Sequence, residues 1–247
     1  MAPVTLGTSG WSYDHWKGTF YPEDLPPEKW LAYYAERFRG TEINYTFYQQ
    51  PEASTLQAWK DTVDPEFCFA VKAHGYLTHR KKLREPEKIL PPFLDGLAPL
   101  GDQLGPLLFQ LPPRWHANPE RLDRFLACLR EHTDARVAFE FRDPSWIAGA
   151  ILALLRDYDA AFCIYELEGF QTPLHQTADF VYFRLHGPEE AYCGSYGDDQ
   201  LQSWADRIRE WTAAGLEVYG WFDNDEKGYA PANAAHLQEI LNEDNRA

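Results

Sequence analysis

A chain of 247 residues with 45% hydrophobic and 25% charged content can bury a sizeable core and is too ordinary in composition to be disordered. No apolar run reaches the roughly 20 residues that a membrane helix needs, and a net charge of −15 argues against a protein that coats nucleic acid. The start of the chain lacks a basic, apolar leader, and the four cysteines (Cys68, Cys128, Cys163 and Cys193) have no paired spacing, so reduced thiols and a cytoplasmic setting are expected.

Strand-like and helix-like segments alternate from end to end. The first strand is expected at Val4–Ser9, followed by an amphipathic helix over Pro27–Phe38 with Trp30, Leu31, Tyr34 and Phe38 at helical spacing. Strands follow at Gly40–Tyr45 and Phe67–Lys72. Next comes Glu85–Leu100, where Pro86, Pro91, Pro92 and Pro99 should break any helix. A strand at Pro106–Leu111 leads to a capped helix start at Asn118-Pro119, with Leu122, Phe125, Leu126 and Leu129 behind it. The pattern continues with a strand at Arg136–Arg142, a helix at Pro144–Tyr158, and strands at Ala160–Tyr165 and Phe180–His186. A helix at Asp199–Ala214 stops at Gly215, and a last strand, Glu217–Asn224, precedes a helix over Pro231–Asn242. Eight such units of about 30 residues predict one (β/α)8 TIM-type barrel spanning residues 1–247 as a single domain. The rival, a doubly wound sheet, usually opens on G-x-G-x-x-G, a spacing that Gly7-Thr8-Ser9-Gly10-Trp11 lacks.

The strands carry a second pattern. Side chains alternate with period two, so Glu140 and Arg142 share one face of their strand, and Arg184 and His186 share one face of theirs. Glu42 with Asn44, and Lys72 with His74, repeat it, while Gln110 and Asn224 add amides. An ordinary buried strand has no need of ionisable groups at its C-terminal end, where barrel enzymes build their sites. Glu140 and His186 are candidate proton-transfer groups, with Glu42 and Lys72 as a possible pair or, for Lys72, an activated amine. Arg142 and Arg184 suit bidentate binding of a carboxylate or phosphate. Asn44, Gln110, Asn224 and His74 complete the polar lining, and Trp11, Tyr13, Trp16 and Tyr48 are candidates for a stacking wall. Trp30, Trp59, Trp204 and Trp211 belong instead to helix packing. The alternative to a reactive site is a set of buried ion pairs that merely ties the strands together.

Other motifs are weaker. From Lys72 to Lys88 there are six cations (Lys72, Arg80, Lys81, Lys82, Arg84 and Lys88) against Glu85 and Glu87, which suits either a solvated loop or a local anion attractor. The glycines of Gly187–Gly197 and Gly228 sit where barrels often hold phosphate, although they also serve as plain turn residues and Asp223, Asp225 and Glu226 would repel it. Asp223–Gly228 resembles a calcium loop, but Lys227 and Ala234 stand where oxygen ligands are needed. A metal held by Glu42, Glu140 and His186 is disfavoured by Lys72, Arg142 and Arg184. No metal and no cofactor are therefore expected.

In order along the chain, Gly7–Trp11, Glu42-Ile43-Asn44-Tyr45-Thr46-Phe47-Tyr48, Phe69–Lys72, Leu104–Pro113, Glu140-Phe141-Arg142, Arg184-Leu185-His186-Gly187 and Asn224 resemble the motifs of the YecE-like family, also called domain of unknown function 72. The resemblance covers nearly the whole chain. It implies a TIM-type barrel and brings no settled activity with it. One departure is Asp143, where the family commonly has His before Pro-Ser-Trp, so a proton-transfer role for that position does not carry over.

Three functions fit these observations. The first is an enzyme acting on a small polar, anionic or phosphorylated molecule by metal-independent acid–base chemistry, with lyase, isomerase and hydrolase classes open. The second is a metal-dependent nucleic-acid enzyme resembling the repair endonucleases of the same fold, which would use the basic stretch His79–Arg84 and the aromatic rim. The third is a non-catalytic small-molecule binding protein. No membrane partner is expected, and nothing in the sequence sets the oligomeric state.

Overall fold

The structure, a computed structural model, describes residues 2–243. Each expected strand forms: β1 (Val4–Thr8), β2 (Gly40–Ile43), β3 (Cys68–Lys72), β4 (Leu104–Leu111), β5 (Val137–Phe141) and β6 (Ala160–Leu167) come first. A two-residue strand absent from the sequence reading, β7 (Phe170–Gln171), is followed by β8 (Phe180–Leu185) and β9 (Glu217–Phe222). The helices are α1 (Trp30–Ala35), α2 (Ala53–Thr62), α3 (Pro86–Asp95), α4 (Pro119–His132), α5 (Gly149–Asp157), α6 (Asp198–Ala213) and α7 (Tyr229–Glu243).

Strands follow the hydrogen-bonded order β1-β9-β8-β6-β5-β4-β3-β2, with β7 folded back antiparallel on β6. A parallel bridge between Ser9 and Glu42 links the two ends of that path. Parallel strands separated by helices and joined in this way make a (β/α)8 TIM-type barrel. Among the described residues no helix is long and apolar enough to cross a membrane, and all four cysteines are free.

Contacts divide the chain into two compact units. One runs up to Glu42, takes in Ile164–Leu174 and resumes at Phe180; the other comprises Ile43–Cys163 and His175–Asp179. In the first unit β9 pairs with β1 and β8, so that Trp221 lies opposite both Gly7 and Arg184. Gly7 is required by close approach: a Cβ there would fall 2.3 Å from the Gly40 carbonyl oxygen and 2.7 Å from the Tyr34 hydroxyl. Phe183 stacks on Trp204 of α6 at 4.8 Å, and Trp30 on Tyr21 at 5.0 Å, consistent with packing roles for the helical tryptophans.

The second unit is built on β3, β4 and β5, with Lys72 opposite Leu108 and Gln110 opposite Glu140. Phe109 stacks on Phe139 and meets Phe125 of α4 edge-on, both at 5.2 Å. The predicted cap of α4 is present, since Asn118 Oδ1 accepts from the Arg121 amide at 2.9 Å. The prolines do not break the segment after Glu85. Helix α3 runs through Pro91 and Pro92, with Pro86 at its start, where no N–H is needed. An interior proline costs about 3 kcal/mol, and burial of Ile89, Leu90 and Phe93, at about 1.5–3 kcal/mol each, offsets that loss. The expected helix from Pro144 divides into a 3-10 turn, Pro144–Trp146, and α5.

Candidate functional site

In the first unit, backbone hydrogen bonds carry the ladder one residue past the strand ends. Ser9 N donates to Phe222 O, Asp223 N to Leu185 O, and Gly10 N to Glu42 O, at 2.8–2.9 Å. This brings Ser9, Glu42, Arg184, His186 and Asp223 together. The Arg184 guanidinium donates to Glu42 Oε1 from Nε (3.0 Å) and Nη2 (2.7 Å), and to Asp223 Oδ2 at 2.9 Å. Ser9 Oγ donates to Glu42 Oε1 (2.7 Å) and the Tyr182 hydroxyl to Oε2 (2.5 Å). His186 Nε2 lies 3.2 Å from Arg184 Nη1, and its Nδ1 lies 2.9 Å from Asp223 Oδ2. Arginine only donates, so Nε2 is the accepting nitrogen of that contact.

Glu42, Arg184 and His186 have no exposed surface, so the anion grip expected of Arg184 and the proton-shuttle role expected of His186 meet a closed network. Arg184, on β8, is a cation that answers Glu42. Two carboxylates surround one guanidinium, and the excess negative charge is felt nearby. Tyr13, whose hydroxyl donates to Ser9 O at 2.6 Å, has its pKa raised by burial and then by Asp223, Asp225 and Glu42. Asp225 is likewise raised, by burial and then by Asp223.

The second unit gathers a cluster of opposite sign. Buried Glu140 accepts from Arg142 Nε through Oε1, and Cys163 Sγ lies 3.8 Å from its Oε2. Lys72 Nζ sits 4.8 Å above the Phe47 ring, and the His79 imidazole meets that ring edge-on at 4.9 Å. His79 Nδ1 is 2.9 Å from Thr78 Oγ1. Half-buried His79 has its pKa lowered, first by desolvation and then by Lys72 and Arg142. Glu140 opposes this, and Lys82 adds to it. Three cations and one carboxylate therefore act on a neutral imidazole.

The remaining sequence-derived candidates divide between these clusters and the packing around them. Gln110 lies beside Glu140 across the β4–β5 ladder. Asn44 ends β2 with a buried Oδ1 that has no hydrogen-bond partner among the described residues. His74 Nδ1 accepts from the Tyr76 amide (2.9 Å), and Nε2 contacts Tyr48 O (3.2 Å), which fixes the ring between two loops. Trp11 and Trp16 are buried, so of the expected stacking wall Tyr48, 77% exposed, is the residue that faces solvent. Asn224 turns away from Arg184 and donates to Gly194 O (2.8 Å) and Asn233 Oδ1 (2.9 Å), clamping the loop after β8. Its neighbour Asp223 takes the inward place. Asp143 caps the 3-10 turn, accepting from Ser145 N (3.1 Å) and Oγ (2.6 Å), and these bonds, followed by His116, hold its carboxyl below the usual range.

Sequence reasoning overlooked Asp223, Ser9, Tyr182 and His79 as site residues. Tyr182 shares the face of Arg184 and His186 by simple parity, and that signal was available. His79 lies in a π-helical turn, Tyr76–Arg80, where no strand or helix period points to it. Among the described residues the one trio of metal-capable side chains close enough to share an ion is Cys128, Glu131 and His132, on α4. A cavity of about 710 Å³ opens beside Val4 and Leu6 at the start of β1, at the other end of that strand from Ser9.

A protein-family model described as "Protein of unknown function DUF72" matches residues 5–247. No curated protein matches the chain. Among solved structures, a DUF72 family protein of Thermotoga maritima is 30% identical, with 97% of this chain aligned to 99% of that one and a TM-score of 0.86. A DUF72 family protein of Enterococcus faecalis V583 shares the fold at 20% identity, covering 97% of this chain and 95% of its own, with a TM-score of 0.81. At 10% identity and a TM-score of 0.53, a methyltransferase from Methanosarcina mazei resembles the chain in fold alone, over 99% of this chain and 94% of that one.

Proposed function

The chain belongs to the DUF72 family of proteins of unknown function, and on that premise we propose that it is an enzyme acting on a small anionic molecule by acid–base chemistry. The observation that carries this reading is the group around half-buried His79, beside the Phe47 ring that Lys72 also covers: after burial itself, Lys72, Arg142 and Lys82 lower its pKa, and Glu140 opposes them. Cations that crowd a half-buried imidazole also draw an anion toward it, and a carboxylate or phosphate is such an anion.

In this reading Arg142, oriented by Glu140, and Lys72 bind the anion. His79 is neutral at pH 7 and accepts a proton from the bound molecule. As the anion neutralises the cations, the pKa of His79 rises, so substrate binding itself strengthens the base. The same three cations make the cluster a poor place for a further positive ion.

Calorimetric titration with inorganic phosphate, followed by a turnover screen over phosphorylated and carboxylated small molecules, tests the reading. Phosphate should bind the wild-type chain and bind Arg142→Met about tenfold or more weakly, the loss of one charge-assisted contact. His79→Ala should then bind phosphate and fail to turn over any substrate that the screen finds. Equal phosphate affinity in wild type and Arg142→Met, or full turnover by His79→Ala, would sink the proposal.

A further inference from the structure

One face of the second unit departs from the acidic balance of the chain. The 3-10 turn Tyr45–Phe47 places Tyr45 and Tyr48 three residues apart, on the same side at three residues per turn. They are 52% and 77% exposed. His74 bridges Tyr48 O to the Tyr76 amide and so fixes Tyr76, a third exposed tyrosine, beside them. After the π-helical turn, Lys82, Leu83 and Glu85 adopt left-handed backbone, with φ of 49°, 61° and 52°. Left-handed backbone is unfavourable for residues that carry a side chain. Burial of Leu83 and bonds from Lys81 N to Tyr76 O (2.8 Å) and from Leu83 N to Leu77 O (3.0 Å) hold the segment in place. Arg80 and Lys81 are thereby kept 5.8 and 5.7 Å from the Tyr76 ring.

A groove of about 390 Å³ adjoins these rings, with Leu77, Ile89, Pro92 and Phe93 in its apolar wall and Lys81 and Lys88 on its rim. Gln50 also lines it, and its buried Nε2 has no hydrogen-bond partner among the described residues. Both rim lysines share Glu85, at 2.5 and 2.6 Å, which leaves the rim net positive. An apolar slot of this kind fits a planar heteroaromatic ring. Exposed tyrosines beside cations fit further rings joined by phosphates.

We infer that this face binds single-stranded nucleic acid. Tyr48, Tyr76 and Tyr45 stack on bases, the groove takes one base against Gln50, and Arg80, Lys81 and the exposed Arg84 meet phosphates. A duplex keeps its bases stacked on one another and offers these rings nothing to hold. The surface uses side chains other than the Lys72–Arg142 cluster and stands whether or not that cluster is catalytic.

Fluorescence anisotropy of the full chain with labelled oligothymidylate and oligouridylate provides the test. Binding is expected in the roughly micromolar range at low salt, weakening linearly with the logarithm of salt concentration. Tyr48→Ala and Tyr76→Ala should each weaken it about tenfold. The double variant Arg80→Ala/Arg84→Ala should lower the salt slope by about 1.4, at about 0.7 per phosphate on a single strand. These positions are exposed, so circular dichroism of the variants should match wild type. Their phosphate binding by calorimetry should also be unchanged, and a parallel loss would place the tyrosines in the anion cluster and overturn a separate surface. Equal affinity for a duplex of the same length, full binding by both tyrosine variants, or no saturable signal at roughly 10⁻⁴ M protein would each overturn the inference.

Discussion

The two charged clusters of this barrel are alike in composition and opposite in balance. Around Arg184, two carboxylates and an imidazole meet one guanidinium at 2.7–3.2 Å, and Ser9 and Tyr182 donate to the Glu42 oxygens. Around His79, three cations meet one carboxylate, and that carboxylate is already paired with Arg142. The first network is buried and linked by hydrogen bonds among its own side chains, so its charges serve to fix β1, β2, β8 and β9 at their C-terminal ends. In the second, Lys72, Arg142 and Lys82 together bear on one half-buried imidazole, an arrangement suited to an arriving anion. The closure of the first network and the positive sign of the second therefore separate a cluster that holds the fold from one suited to binding an anion.

The largest effect expected from this contrast is on Arg184. Arg184→Met leaves Glu42 and Asp223 buried without their cation and should cost about 3–5 kcal/mol in urea unfolding. Adding Asp223→Asn to that variant should recover part of the loss, because one of the two uncompensated charges is then gone. Additive losses in the double variant would show that the carboxylates do not depend on Arg184. Asp223→Asn alone should cost about 1–3 kcal/mol, since Glu42 still balances the guanidinium.

In the other cluster the same kind of change should leave stability nearly intact. Lys72→Met removes one of several like charges and keeps most of the packing against Phe47, so unfolding should shift by less than about 1 kcal/mol. Its phosphate affinity should nevertheless fall about tenfold, or about 1.4 kcal/mol. A large stability loss there would make the cluster structural and erase the distinction.

The smallest effect is a titration. In the folded chain His79 is held below its unfolded value near 6.5, so the unfolded state binds more protons and stability falls as pH drops through that value. NMR titration of the His79 ring should show a midpoint below 6.5 that moves upward when inorganic phosphate is added. A midpoint indifferent to phosphate would count against an anion bound beside it.

Much of this was legible in the chain. Strand periodicity located all eight barrel strands, and parity singled out Glu42, Arg184, His186, Glu140 and Arg142, because alternation along an extended chain is a local property. It failed at Asp223 and Asn224, where β9 has already ended at Phe222 and the register of β8 decides which residue turns inward. It had nothing to say of His79, which reaches Phe47 from a π-helical turn. The prolines of α3 were misread because local propensity was weighed without the burial of Ile89, Leu90 and Phe93 that overrides it.

The sequence by itself determined which residue types stand at the ends of the strands, and with them the barrel and the family. Only the tertiary structure decided which of those charges meet. Whether a lysine or an arginine answers a given carboxylate depends on distances of a few ångströms between residues far apart in the chain, and Coulomb energy follows those distances.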